Sequence, residues 1–326
     1  MTITQLHYVL AVAEFRNFTK AAEKVFVTQP TLSMQVQKFE EELGVKVFDR
    51  TKKPIHITEV GQKIVTQAKN IVNESIRIND IIDQQKGFIG GEFKLGIIPT
   101  VMPTLLPMFL NNFINKYPKV KLRIEEYHTA EIVEHLSDGT LDAAIAATPL
   151  EEDDIIEKPL YYEPFVGYIP DDHELSQLQY LQKDLIADKK VLLLEDGHCF
   201  KNNILNLCKS DFSFSEDKFQ LESGSFETLI KLADEGLGMT LLPYLHSLNI
   251  NEKAKKNIIS FNKPEPAREV SLIYHDSELK IHIIEALKDL ILSIVEGAIA
   301  FEDVEIISPV EKEKQKEPKI SIEQLR

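Results

Sequence analysis

The segment from Asn17 to Arg50 predicts two short helices joined by a tight turn. Small apolar residues share one face of the first helix: Ala21, Ala22 and Val25. Thr28 and Pro30 supply an N-cap and a first-turn proline, so the second helix is expected to begin near Pro30. Apolar residues follow at spacings of four, three and four, which predicts one buried stripe formed by Leu32, Val36, Phe39 and Leu43.

The outer side of the second helix is mostly polar, and side chains there can reach base edges in a DNA major groove. The residues expected to bind DNA from this part of the chain are Thr28, Gln29, Pro30, Thr31, Ser33 and Gln37. Met34 lies on the same side. An ordinary helical hairpin with a polar face has the same pattern, so the helices alone leave two interpretations open.

A short alternating segment follows the helices. Residues 45–58 alternate in polarity around a turn, which predicts a two-stranded wing with Arg50, Lys52 and Lys53 near its tip. Cations in that place are suited to phosphate contacts, and Arg50 and Lys52 complete the expected DNA-binding set.

A long helix is expected from Thr58 to about Lys86. Residues at steps of four and three form a heptad stripe along it: Ile64, Ala68, Ile71, Ser75, Ile78 and Ile82. Such a stripe favours dimerisation, with Ile64, Ile71, Ile78 and Ile82 as the dimer contacts. An amphipathic helix packed on its own domain would have the same pattern.

Residues 1 to about 90 resemble the DNA-binding domain and linker helix of LysR-type transcriptional regulators. The resemblance is carried by the run FTKAAEKVFVTQPTLSMQVQKFEEELGVKVFDR and the wing closure at 57–61. It implies that Gln29, Pro30, Thr31 and Ser33 open a recognition helix, and that Arg50 lies at the wing. Met34 departs from the basic or small polar residue frequent in the family. The implied partners are double-stranded operator DNA, further copies in a homodimer or homotetramer, and RNA polymerase.

Charge is distributed unevenly along the 326 residues. The net charge is −15, but residues 1–62 carry +1 and the remainder −16, so the acidity belongs to the other domains. DNA affinity must then come from a few placed cations and a doubled site. The polar N-terminus and the lack of a long apolar run predict no signal peptide, no membrane partner and a cytoplasmic location.

Beyond an expected hinge at Phe88–Glu92, apolar strands alternate with amphipathic helices. The expected fold is an α+β multi-domain chain: a winged helix-turn-helix with a long linker helix, then a periplasmic-binding-protein-like α/β effector domain of two subdomains. The expected boundaries are 1–60 for the DNA-binding domain, 61–91 for linker helix and hinge, and 92–301 for the effector domain. Subdomain I comprises 92–163 and 268–301, subdomain II 164–267, and 302–326 form a charged tail expected to be disordered.

The two cysteines, Cys199 and Cys208, have a Cys-x8-Cys spacing that matches no metal-site pattern, so neither metal nor cofactor is expected. Both can be small buried hydrophobic residues in a reducing compartment. Alternatively, Glu195–His198 ends a buried strand and turns into a helix. Cys199 would then lie at a helix N-terminus, where the partial positive charge favours a nucleophilic thiolate.

The distance between the two cysteines decides whether they can form a disulfide while the helix is intact. If residues 199–208 form one straight helix, the two Cα atoms lie about 13 to 14 Å apart. A disulfide needs roughly 4.4 to 6.8 Å. Joining the thiols therefore requires unwinding of the helix, which suits a switch better than a static crosslink.

A second, narrower resemblance covers nearly the full chain and points to peroxide-sensing LysR-type regulators. It is carried by the segments Gly96–Thr100, Leu193–Cys199, Ser225–Leu229, Gly238–Pro243 and Lys263–Arg268, together with Cys208. The resemblance implies that Cys199 reacts with hydrogen peroxide, that Cys208 resolves the product, and that a cellular reductant restores both thiols. It also implies a peroxide pocket of Thr100, Thr129, His198 and Arg268. Departures are Asn202, where an acid is common, and Lys209–Ser210.

The residues taken alone support weaker statements about the pocket. Thr100 and Thr129 each follow a strand and precede a helix, so both can be helix caps, although that edge of the sheet also binds ligands. Arg268 can be a surface cation, and His198 a structural histidine. Two other functions stay open: a LysR-type regulator gated by a small molecule in the cleft, and a thiol peroxidase. The DNA-binding half argues against an enzyme.

Overall fold

A computed structural model describes residues 1–85, 89–186, 189–195, 197–208, 223–297 and 304–310 of the chain. It divides into two compact units, Met1–Phe88 with Ser137–Thr140, and Ile89–Leu136 with Leu141–Arg326. Among the described helices, none combines the length and apolar character needed to cross a membrane. Some expectations fall outside the described residues: the end of the long helix near Lys86, Phe88 of the hinge, and the tail from 311 onward.

The first unit is a winged helix-turn-helix followed by a long helix, as the sequence predicted. Its elements are α1 (Ile3–Phe15), α2 (Phe18–Lys24), α3 (Gln29–Leu43), β1 (Phe48–Asp49), β2 (His56–Ile57) and α4 (Glu59–Gln85). The wing strands β1 and β2 pair antiparallel, with Phe48 opposite Ile57.

Local signals fix both ends of α3. The Thr28 hydroxyl accepts a hydrogen bond from the Thr31 backbone N–H, and Pro30 lies in the first turn. Gly44 ends the helix with φ +69°, a left-handed conformation that favours glycine. The predicted stripe is buried at Leu32, Val36 and Phe39. The prediction is wrong for Leu43, which is 41% exposed, because the chain turns away immediately after it.

The first part of α4 packs on its own unit. Val65, Ala68 and Val72 are buried in the core of that unit, and Ile64 and Ile71 are half-buried against it. The own-domain interpretation of the stripe therefore holds here. Ile78 is 61% exposed, whereas the side chain of Ile82 lies outside the description. Dimerisation through Ile64, Ile71, Ile78 and Ile82 stays a prediction.

The second unit alternates strands and helices. Its elements are β3 (Gly91–Ile97), α5 (Met102–Lys116), β4 (Val120–Glu126), α6 (Thr129–Ser137), β5 (Ala143–Thr148), β6 (Ile155–Tyr168), α7 (Lys183–Ile186), β7 (Val191–Leu192), α8 (Cys199–Cys208), α9 (Phe226–Asp234), β8 (Met239–Pro243), α10 (Tyr244–Leu248), a 3-10 turn (Lys255–Asn257), β9 (Ile258–Ser260), β10 (Glu265–His275), α11 (Ile281–Val295) and β11 (Val304–Ile306). Gly91 and Glu92, expected in the hinge, already belong to β3, where they pair with Val120 and Lys121 of β4.

One long strand, β6, connects two hydrophobic cores in this unit. The sheet order is β4-β3-β5-β10-β6-β8-β7, with β11 paired to β10 and β9 to β6. β6 contributes Leu160 and Tyr161 to the first core, and Phe165 and Val166 to the second. The expected α/β effector fold of two subdomains is confirmed.

The expectation of a disordered tail is wrong for residues 304–310. β11 pairs parallel to the first residues of β10, and the Ile307 N–H donates to the Ala267 carbonyl at 2.8 Å. Ile307 itself is buried in the second core. The physical reason is a short apolar run, VEII, within a segment whose average composition is highly charged. One buried side chain and a strand edge suffice to order it.

Candidate functional sites

The first turns of α3 present an accessible polar surface. Gln29, Pro30, Thr31 and Met34 are exposed, and Ser33 is half-buried. The Thr28 hydroxyl is engaged in the helix cap and lies 2.8 Å from the Thr31 hydroxyl. The Gln37 amide donates to Glu41 at 2.8 Å, which ties that side chain to the helix. Gln29, which is exposed, is therefore the expected DNA contact with the greatest freedom to reach a base, whereas the Thr31 hydroxyl is paired with that of Thr28.

Arg50 lies against the recognition helix instead of at the wing tip. Its guanidinium donates to the Ser33 hydroxyl at 3.3 Å and to Glu40 at 3.1 Å, and lies 4.8 Å from the centroid of the Phe18 ring. Lys52 is exposed between β1 and β2, where the sequence placed it. The wing tip thus keeps Lys52 for phosphate contacts, while Arg50 positions the wing on α3.

Sequence reasoning missed Glu40 because it begins a run of three glutamates that resembles a solvated helix face. Glu40 is buried, and its carboxylate accepts hydrogen bonds from the backbone N–H groups of Val47 at 2.9 Å and Phe48 at 3.1 Å. It therefore ties the last turns of α3 to the start of the wing. Phe26, 95% exposed in the turn before α3, was also missed.

Cys199 and Cys208 are the first and last residues of α8, and both are buried thiols that are not joined in a disulfide. Since α8 is one helix of ten residues, its rise separates their Cα atoms by about 13 to 14 Å. The predicted separation by an intact helix is confirmed. Cys199 lies in the first core, whereas Phe200, Ile204, Leu207 and Cys208 lie in the second.

The Cys199 thiol is surrounded by groups from four segments. Burial raises the pKa of the thiol above its ordinary value, while the positive charge of Arg268, the Thr129 hydroxyl and the backbone of Ala147 and Phe200 act in the opposite direction. The position at a helix N-terminus is confirmed. Desolvation of the buried thiol therefore opposes the thiolate that a helix N-terminus favours.

Arg268 forms a buried ion pair with Glu163, its direct cross-strand neighbour on β6. Nε and Nη2 of Arg268 donate to one carboxylate oxygen of Glu163 at 3.0 and 2.7 Å, and both side chains are essentially inaccessible to solvent. Glu163 also accepts a hydrogen bond from the Leu245 N–H at 2.9 Å. The alternative that Arg268 is a surface cation is wrong. The pair lies where β6 passes from the first core, at Tyr161, to the second, at Phe165.

Thr100 and Phe200 hold the remaining sides of the Arg268 guanidinium. Nη1 donates to the Thr100 hydroxyl at 2.8 Å, and Nη2 donates to the Thr100 carbonyl at 3.1 Å. Thr100 is not a helix cap, since α5 has Val101 in that position. The guanidinium carbon lies 5.3 Å from the centroid of the Phe200 ring on α8. Arg268 therefore links the sheet to the first turn of the helix that carries both cysteines.

Thr129 and His198 differ in how they relate to the thiol. Thr129 is the first residue of α6, and its hydroxyl faces Cys199 without an ordinary hydrogen bond to any described group. The His198 ring instead meets His128 edge to face at 4.6 Å, with Nε2 3.7 Å from Glu195. Burial, together with the neighbouring His128, lowers the pKa of His198.

The sequence missed His128, Glu163, Glu195 and Phe200. His128 could have been found, since it lies two residues after β4 and directly before Thr129. Glu163 gave no signal, because its role depends on a cross-strand register that the sequence does not reveal. The pocket residues Thr100, Thr129 and Arg268 come together around Cys199 at the carboxyl ends of β3, β4 and β5.

A winged helix-turn-helix followed by a two-core α/β unit with paired thiols defines a DNA-binding regulator with an effector domain capable of redox chemistry. Comparison with family models agrees. Residues 3–62 match the bacterial regulatory helix-turn-helix protein model of the lysR family, and residues 86–294 match the LysR substrate binding domain. The chain belongs to the LysR family of transcriptional regulators.

Individual proteins similar to this chain have narrower descriptions than the family models. The hydrogen peroxide-inducible genes activator of Pectobacterium carotovorum subsp. carotovorum is 34% identical over 91% of this chain and 98% of its own. The DNA-binding transcriptional dual regulator OxyR of Escherichia coli K12 is 33% identical over 84% and 89%. A full-length OxyR variant from Pseudomonas aeruginosa superimposes with a TM-score of 0.71, 34% identity and coverage of 90% and 98%. A hydrogen-peroxide-bound OxyR mutant from Corynebacterium glutamicum gives 0.62 and 29%, with coverage of 92% and 94%.

Proposed function

We propose that this protein is a transcriptional regulator that senses hydrogen peroxide by reversible formation of a Cys199–Cys208 disulfide and controls oxidative-stress genes. One observation carries the proposal: the two reduced thiols lie at opposite ends of a single helix, and the first of them faces Arg268 and Thr129 at the edge of the sheet. A metabolite-binding cleft would not require paired thiols in that arrangement.

The chemistry needs one peroxide and two thiols. The Cys199 sulfur attacks one peroxide oxygen, the O–O bond breaks, and the thiol proton leaves with the departing oxygen as water. The product is a sulfenic acid, which the Cys208 thiol attacks to form the disulfide and a second water. Arg268 and Thr129 lie where they can stabilise charge that develops on sulfur and on the leaving oxygen. A cellular thiol reductant returns both cysteines to the reduced state.

Disulfide formation must unwind α8, since the helix holds the two Cα atoms about 7 Å or more too far apart. Unwinding releases Ile204 and Leu207 from the second core, where both are buried. The effector unit therefore changes its packing. We further propose that the protein acts in the cytoplasm as a homodimer or homotetramer through the exposed part of α4, binds paired DNA half-sites and contacts RNA polymerase.

Thiol mass spectrometry paired with DNA footprinting tests this function. Low micromolar peroxide should convert the wild type to an intramolecular disulfide and shift its footprint. Cys199→Ser should lose both responses, while Cys208→Ser should accumulate sulfenic or over-oxidised Cys199 without the shift. A peroxide-dependent footprint that persists in Cys199→Ser would overturn the proposal. A footprint that responds only to a small metabolite would favour a cleft-gated regulator, and sustained peroxide turnover without a footprint change would favour a peroxidase.

A further inference from the structure

Three metal-binding side chains converge beside the first turn of α8. His128 follows β4, and Glu195 and His198 lie between β7 and α8. One donor atom from each lies within 4.8 Å of the other two, and His198 Nε2 is 3.7 Å from Glu195 Oε1. Two imidazoles and one carboxylate from two separate segments therefore point at a common space.

Three of the histidine nitrogens in this cluster are buried without a hydrogen bond to any described residue. His198 is 4% exposed, and neither of its ring nitrogens makes a hydrogen bond. Nδ1 of His128 is also buried without a hydrogen bond. Leaving a buried polar atom unsatisfied costs about 1 to 3 kcal/mol, so the fold has a reason to place a ligand there. The proposed peroxide chemistry does not use these nitrogens, because the thiol faces Thr129 and Arg268.

Gly224 keeps space open beside the cluster. A Cβ at that position would lie 2.9 Å from Glu195 Oε1 and 3.2 Å from His198 Nε2. Any larger residue would therefore press on two of the three donors. Only glycine at this position leaves the donor atoms of Glu195 and His198 uncrowded.

We propose that His128, His198 and Glu195 form a divalent metal site that takes Zn²⁺, with water as the fourth ligand. Imidazole and carboxylate donors are a common zinc set. Zn–N distances of about 2.0 to 2.1 Å place tetrahedral ligands roughly 3.4 Å apart. The donor atoms, which lie within 4.8 Å of one another, reach that geometry by closing roughly 1.4 Å or less, which side-chain rotation supplies.

The position of the site gives zinc an effect on the thiol switch, a consequence that rests on the proposed function. The ion would join the start of α6 to the residue directly before Cys199. Because α8 must unwind for the disulfide to form, an ion bound to His198 should stabilise the reduced arrangement. Zinc is then expected to slow disulfide formation.

Titration of the reduced full-length chain with Zn²⁺, followed by calorimetry, tests the site. One ion per chain should bind, and His128→Gln and Glu195→Gln should weaken binding by at least about tenfold. His282→Gln, an exposed histidine of the same unit, is the matched control and should bind as the wild type does. Circular dichroism of each variant establishes that it folds. Gly224→Ala should also weaken Zn²⁺ binding, although it leaves all three metal-binding side chains in place.

The alternative to be distinguished is a zinc site in which the Cys199 thiol is a ligand. Cys199→Ser should retain the zinc affinity, and Co²⁺ bound to the wild type should lack the intense near-ultraviolet band of a thiolate ligand. Loss of binding in Cys199→Ser with normal binding in His128→Gln would overturn the proposal. Zinc should also slow peroxide-dependent disulfide formation in the wild type and leave the rate of His128→Gln unchanged. An unchanged wild-type rate would refute the coupling while the binding data still decide the site.

Discussion

α3 contains predicted DNA contacts and α8 contains the two cysteines, yet the two helices are stabilised by different kinds of interaction. α3 has 15 residues, a side-chain N-cap from Thr28, a glycine at its C-terminus and one buried stripe on one core. α8 has 10 residues that are divided between two cores. The helix predicted to read DNA is thus fixed by local signals, whereas the helix between the cysteines depends on packing against two cores.

The intrinsic stability of α8 is low. Isolated helices shorter than about 12 to 15 residues are marginal in water. Three of the ten residues are asparagines, and each is up to about 0.7 kcal/mol less favourable in a helix than alanine. Packing around Phe200 and hydrogen bonds to the C-terminal tail must supply the difference. Asn203 donates to the Ile307 carbonyl at 2.6 Å, and Asn206 donates to those of Ser308 and Val310.

Hydrogen exchange should give the largest contrast between the two helices. Oxidation should lower the protection of α8 amides by a factor of about 100 or more, equivalent to about 2.7 kcal/mol of local stability, because the disulfide cannot span an intact helix. Amides of α3 should keep their protection in both redox states. Peptide-resolved exchange before and after peroxide, with Cys208→Ser as the control, measures this. Equal protection of the α8 amides in the reduced and oxidised protein would contradict the expected difference between α3 and α8.

The two arginine–glutamate pairs should differ in their contribution to stability. Arg268→Ala leaves Glu163 charged and buried with only the Leu245 N–H as a donor, so it should destabilise the effector unit by about 3 to 5 kcal/mol. Arg50→Ala should cost about 1 kcal/mol, since Arg50 is partly exposed and Glu40 keeps two backbone donors.

Calorimetric unfolding of the full chain checks both values. The double variant Arg268→Met with Glu163→Met should recover much of the loss, because it removes both buried charges. Similar costs for the two single arginine variants would contradict the prediction.

The reading surface of α3 should respond to substitution without altering the thiols. Gln29→Ala should lower discrimination between operator and random DNA by about 1 to 3 kcal/mol, because the exposed amide is free to contact a base. Lys52→Ala is the control and should weaken binding to all sequences alike. Binding titrations at several salt concentrations separate the two effects. An equal loss of affinity for operator and random DNA in Gln29→Ala would mean that another residue reads the bases.

The smallest effect is expected from the tail contacts of α8. Asn206→Ala removes two hydrogen bonds to the tail and should lower the local stability of α8 by about 1 to 2 kcal/mol. Disulfide formation should become correspondingly faster. Asn202→Ala is the matched control, since Asn202 makes no hydrogen bond to the described tail residues and the same substitution raises helix propensity. Stopped-flow thiol oxidation measures both. Faster oxidation in both variants alike would assign the effect to propensity instead of the tail.

Local patterns predicted much of the fold. The cap at Thr28, the stripe from Leu32 to Phe39 and the alternation of strands with helices specify the winged helix-turn-helix and the α/β unit, because these signals act within a few residues of each other. The same reasoning failed for β11, since three apolar residues in a charged tail become significant only when a strand edge is available.

The sequence by itself determined that α8 separates two thiols by more than a disulfide can span, since helix rise and cysteine spacing are both local quantities. Only the tertiary structure decided what surrounds the first thiol. The buried pair of Arg268 and Glu163 depends on the register between β6 and β10, and the cluster of His128, Glu195 and His198 depends on two segments meeting at one edge of the sheet. Burial depends likewise on the completed cores, and it raises the Cys199 pKa where the helix terminus alone would lower it.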